Sequence, residues 1–143
     1  MSLETKIPVW FWVAAVLLLA WNLLGLSAFI FDPVYGAGDM TQFTESEQAK
    51  YTSRPIWAYF GFAAATVGGS LGSLMLILKK ARATTFFWIS LIGLVIQNSW
   101  FIVDNDIRAT LSPMIWGVQT FILLTIVFGI WLSRSSTLKG WLN

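Results

Sequence analysis

Four stretches of the chain stay apolar long enough to cross a bilayer, and all charged residues gather between or beyond them. A helix needs about 20 mostly apolar residues to traverse roughly 30 Å of hydrocarbon, at about 1.5 Å rise per residue. The stretches run 7–31, 55–78, 84–103 and 113–132. Pro8, Pro55 and Pro113 lie near the starts of three of them, where a fixed φ helps and a missing N–H costs nothing. The pattern predicts an all-α fold: one integral membrane domain over residues 1–143, built as a four-transmembrane-helix bundle. Between the first two spans, residues 32–54 have room for structure of their own. Asp32-Pro33 and Gly36-Ala37-Gly38-Asp39 predict turns. Thr44-Glu45-Ser46-Glu47 has the spacing of a capping box and predicts a short helix through about Tyr51, lying flat on the membrane surface. The link 104–112 is short enough to force an antiparallel hairpin.

Composition identifies the solvent. Hydrophobic residues make up 57% of the chain and charged residues 11%, against about 25% charged in an average soluble domain. A water-soluble fold needs a charged exterior, whereas a bilayer-embedded one needs polar residues only at its loops and ends. The lipid bilayer is therefore the first partner. The net charge of +2 is dispersed rather than clustered, which argues against nucleic acid. The first apolar stretch is longer than a signal-peptide core and has no Ala-x-Ala site, so it is expected to remain in the mature protein. The chain has no Cys and no His. Disulfides, thiolate nucleophiles, Cys/His zinc sites, imidazole haem ligation and Ser–His dyads are thereby excluded. No catalytic or metal-binding residue can be named and no cofactor is expected.

Charge placement predicts the orientation. Lys6, Lys79, Lys80, Arg82, Arg134 and Lys139 fall on one side and Lys50, Arg54 and Arg108 on the other. Because Lys and Arg of short loops are retained in the cytoplasm, both termini are expected inside and residues 32–54 in the periplasm. Every acid except Glu4 lies on the outer side. Trp10, Trp12, Trp88, Trp131 and Trp141 would mark the inner interfacial belt, and Trp57, Trp100 and Trp116 the outer one. Trp21 sits near the middle of its span, either packing or offering a platform to a ligand.

Two sets of residues stand out inside the spans. Gly61, Ala65, Gly68, Gly69 and Gly72 place small side chains at helical spacing on the second span, predicting a seam where another helix approaches closely. That helix belongs either to this chain or to a second copy. Asn22, Gln97, Asn98 and Gln119 form a polar layer, the last three roughly 7–11 Å below the outer boundary and Asn22 a little deeper. An unsatisfied amide costs several kcal/mol in hydrocarbon, so these residues are expected to face inward. They serve either as interhelical hydrogen-bond partners or as the floor of an outward-facing pocket for a neutral polar solute. No Asp, Glu, Lys or Arg lies within a predicted span, which leaves no intramembrane carboxylate, retinal-type Lys or voltage-sensing Arg.

Several short motifs give the chain a family resemblance. Pro8-Val9-Trp10-Phe11-Trp12, Trp21-Asn22-Leu23-Leu24-Gly25, Pro55-Ile56-Trp57, Gly68-Gly69-Ser70-Leu71-Gly72 and Lys139-Gly140-Trp141-Leu142 are its carriers. With them the chain resembles small four-span bacterial inner-membrane proteins commonly called sugar transporters. The resemblance implies the four-span fold and an inner-membrane address, and brings no binding residue with it. Two functions follow as expectations. One is a non-enzymatic accessory or interaction subunit that binds itself or a larger membrane complex. The other is an oligomeric transporter for a small neutral polar solute such as a sugar.

Overall fold

The computed structural model describes residues 5–143, and every regular element in it is helical. The long helices are α1 (Val9–Ile30), α3 (Ile56–Ile77), α4 (Ala83–Val103) and α6 (Pro113–Leu138), each long and apolar enough to cross a membrane. Two short helices, α2 (Glu45–Ser53) and α5 (Asn105–Thr110), and a 3-10 turn at Met40–Gln42 occupy the loops. The chain is a multi-pass membrane protein.

Small residues decide which helices form the centre. In α3, 50% of the apolar stretch is buried, against 11% in α1. α3 packs most extensively on α4, α1 lies against α3, and α6 lies against α4. A Cβ added at Gly61 would meet the Gln97 amide nitrogen and the Gly93 carbonyl at 2.7 and 2.8 Å, and one at Gly68 would meet the backbone of Phe86 and Ser90 at 2.9 Å. Ser90 Oγ donates to the Ala65 carbonyl across the same crossing at 2.6 Å. Gly69 instead faces α1, where a Cβ would land on the Asn22 side chain. The glycine seam is thus filled from within the chain, by α4 on one side and α1 on the other. Gly93 of α4 is its counterpart.

The two ends of the bundle are built differently. At the end carrying the α3–α4 turn, Phe11, Ala15 and Leu18 of α1, Leu76 of α3, Phe87 of α4, and Ile126, Ile130 and Leu132 of α6 close into one apolar core. The Phe87 ring is wedged between helices: it lies 3.1 Å from where a Cβ on Gly72 would sit and 2.7 Å from one on Gly129. Helix α6 runs to Leu138, six residues past the apolar stretch, because Ser133 and Ser136 turn inward, with Ser133 Oγ 2.8 Å from Thr84 Oγ1. It closes in a Schellman motif. Gly140 takes φ +74°, the Trp141 amide reaches the Ser136 carbonyl and the Gly140 amide the Thr137 carbonyl. Leu142 then enters the core, and Asn143 exchanges backbone hydrogen bonds with Lys79 and Ala81. α3 ends in the same motif, but with Lys79 at φ 55° where glycine is usual.

At the opposite, loop end, α2 begins in a capping box: Glu47 accepts from the Thr44 amide at 2.9 Å and Thr44 Oγ1 from the Glu47 amide. These bonds hold the exposed Glu47 carboxyl below its ordinary value. The 104–112 link is not extended. Asp104 Oδ1 accepts from the Asp106 and Ile107 amides and caps α5, which lays Ile107 over Trp100 and Ala58. Trp100, expected in the outer interfacial belt, is consequently buried, because α5 covers the face that would have met lipid.

Candidate functional site

Between the long helices at the loop end lies a cavity of about 840 Å³. Both α1 and α6 contribute to its wall. Neither packs extensively on the other, and edge-to-face contact of Trp21 with Phe121, centroids 4.9 Å apart, joins them midway. The cavity runs from Glu47, Lys50, Tyr51 and Arg54 at its mouth down to Ser90 and Ile126. Along α6, Ile115 and Ile126 mark its length as about 16 Å at 1.5 Å per residue. Leu24, Phe31 and Val118 belong to its lining and are also 65%, 63% and 42% exposed, so one side of the cavity opens between α1 and α6.

The mouth is organised by a buried ion pair. Arg54 Nη2 donates to Asp32 Oδ2 at 2.7 Å, and Asp32 is 2% exposed. Asp32 Oδ1 accepts from the Val34 and Tyr35 amides at 3.0 Å. Gly36 closes the turn around this carboxylate, since a Cβ there would fall on the Ile30 carbonyl. The Arg54 guanidinium lies 5.2–5.9 Å from the ring centroids of Tyr59, Tyr51 and Tyr35, within cation–π range. Burial pushes the Tyr51 phenol above its ordinary pKa, with the Asp32 carboxylate adding to the effect. This is the one ion pair among the described residues. It joins the two ends of the loop 32–54 and so fixes the mouth. Opposite charges beside Pro33 and Pro55, at the two ends of one hairpin loop, were the available signal in the sequence.

The polar layer divides. Asn22, Gln97 and Gln119 all line the cavity, and Asn98 does not. Asn22 Nδ2 is engaged in packing, donating to the Leu18 carbonyl at 2.8 Å and to Ser73 Oγ at 3.1 Å, while Ser70 Oγ donates to the Asn22 carbonyl. Asn98 Oδ1 is enclosed without a hydrogen-bond partner, and so is Gln119 Oε1, which sits in the cavity wall. Trp21 does both things its position allowed: it packs on Phe121 and shows a face to the cavity. Among the described residues there is no group of three His, Cys, Asp or Glu side chains placed to hold a metal ion. Chemically, the site offers a long apolar surface, two amide side chains partway down, and a mouth of mixed charge.

No protein-family model, curated protein or solved structure matches the chain.

Proposed function

We propose that this protein is a non-enzymatic accessory or interaction subunit of the bacterial inner membrane, working by receiving a membrane-borne guest into its loop-end cavity. The cavity's one-sidedness carries this reading. Its volume falls within the roughly 300–1,000 Å³ of small-molecule sites. Below Ser90 and Ile126, however, side chains from all four long helices fill the bundle. A carrier must expose its site alternately to both sides, usually by rocking one repeat against another. Here the packed end binds all four helices into one body, which favours holding over passing through. The six-to-three division of Lys and Arg directs the termini to the cytoplasm and the cavity mouth to the periplasm.

A second reading, an oligomeric carrier for a small neutral polar solute such as a sugar, is favoured by the two cavity amides and the family resemblance. Glucose uptake by proteoliposomes, combined with copurification from native membranes, separates the two. A stable larger complex without uptake above that of protein-free vesicles is the expected result; uptake by the isolated chain would replace the first reading with the second. Orientation is tested on this Cys-free chain with single cysteines at positions 37 and 81. An impermeant thiol reagent on intact cells is expected to label position 37 alone.

A further inference from the structure

The cavity changes polarity in steps along its length, and those steps describe a molecule. Its mouth holds two acids and two bases: Asp32, Glu47, Lys50 and Arg54. About 9 Å further in, six residues from the end of α4 and from the start of α6, are Gln97 and Gln119. Beyond them, Leu94, Ile122 and Ile126 continue the wall for about another 10 Å. The hydroxyls at this depth are already satisfied: Thr66 by the Phe62 carbonyl, Ser90 by that of Ala65 and Thr125 by that of Ile122. Gln97 and Gln119 are different. Among the described residues neither side chain makes a hydrogen bond; the Gln119 Oε1 is itself enclosed, which leaves the Gln97 amide group and the Gln119 NH2 to meet a guest. An amide left unpaired in an apolar wall costs on the order of 1–3 kcal/mol, so a guest that supplies donors and acceptors at this level is favoured over one that does not.

We infer that the cavity takes a single-chain amphiphile of the lysophospholipid class. Its zwitterionic head lies at the balanced mouth, its glycerol hydroxyl and ester linkage lie between Gln97 and Gln119, and its acyl chain runs toward Ile126. The assignment rests on reading the cavity as a guest site. A free sugar would leave the apolar depth unfilled, and a plain hydrocarbon would leave both amides unpaired. Such a molecule resides in the bilayer, and the side opening at Leu24, Phe31 and Val118 gives it a path between α1 and α6 without crossing water.

The experiment uses the full chain in diacyl phosphatidylcholine vesicles and two probes with a nitroxide near the chain end. One is a lysophosphatidylcholine; the other is an alkylphosphocholine of equal chain length, which has the same head but no glycerol or ester. Electron paramagnetic resonance reports the immobilised, bound fraction. The lysophospholipid is expected to bind about tenfold more tightly, and the double variant Gln97→Leu/Gln119→Leu to bind both probes equally. Gln119→Met alone, a smaller perturbation, is expected to lose part of the preference, and the wild-type comparison needs no variant. Equal affinity of the two probes for the wild type, or a preference that survives in the double variant, overturns this assignment while leaving the guest site standing. Absence of binding by either probe overturns both.

Discussion

The same four helices make a closed structure at one end and a hollow one at the other, and the difference lies in what fills the space between them. At the turn end Phe11 and Leu18 of α1 and Ile126 and Ile130 of α6 share one core with Phe87, and the C-terminal segment adds Trp141, whose ring meets those of Trp10 and Phe11 at 5.9 Å. At the loop end both helices line open space. No equivalent of Phe87 fills the gap there, so the polar and apolar groups that would have made a core line a cavity instead. In a membrane, where lipid tails are as apolar as a core, a bundle needs tight packing only where it must hold together. Once the turn end supplies that packing, the loop end is free to stay open for another molecule.

The largest expected effect follows from removing the closed end's wedge. Phe87→Ala is expected to cost about 3–5 kcal/mol, whereas Ile122→Ala, which already faces a cavity, costs about 1 kcal/mol because little new void is made. Thermal unfolding in one detergent compares them, and equal losses would erase the distinction between the ends. Next in size is the mouth. Asp32→Asn keeps the acceptor for the Val34 and Tyr35 amides but strands the Arg54 charge, and is expected to cost about 3 kcal/mol, with the loop 32–54 losing amide-exchange protection first. A wild-type melting temperature in this variant would mean that the pair does not organise the loop. Overpacking comes third. Gly61→Leu and Gly68→Leu, where α4 backbone lies under 3 Å from the new Cβ, are expected to cost about 1–3 kcal/mol. Gly117→Leu, with nothing within 4 Å, is the silent control. The smallest effect is favourable: Lys79→Gly relieves a left-handed lysine and is expected to raise stability by about 1 kcal/mol.

The spans were legible in the sequence because hydrophobic runs are one-dimensional signals, and so was the cap of α2, whose partners lie three residues apart. The glycine stripe announced a close approach without identifying the approaching helix; that depends on Gly93 and Asn22, which are remote along the chain. The polar layer showed the same limit. Depth places Asn22, Asn98, Gln97 and Gln119 at similar levels, but rotation about each helix axis decides that Asn22 packs while also lining the cavity with the two glutamines, and that Asn98 turns away from it. The Asp32–Arg54 pair and the burial of Trp100 beneath α5 depend on loop paths that no periodicity records. The cavity itself is a departure from close packing, and composition carries no trace of it.

The central claim, that the hollow end is built to be occupied, is tested most directly by filling it with a side chain. Gly25 lines the cavity, and a Cβ there meets only Thr66 Cγ2, at 3.6 Å, so Gly25→Leu projects into the hollow without a backbone clash. The measurement is the melting temperature of wild type and variant with and without lysophosphatidylcholine, since a ligand that binds the folded state raises it. The wild type is expected to gain several degrees from the lipid, and the variant to start at or above the unliganded wild-type value and gain nothing. A variant that keeps the full lipid-dependent rise would place the binding outside the cavity and contradict the account.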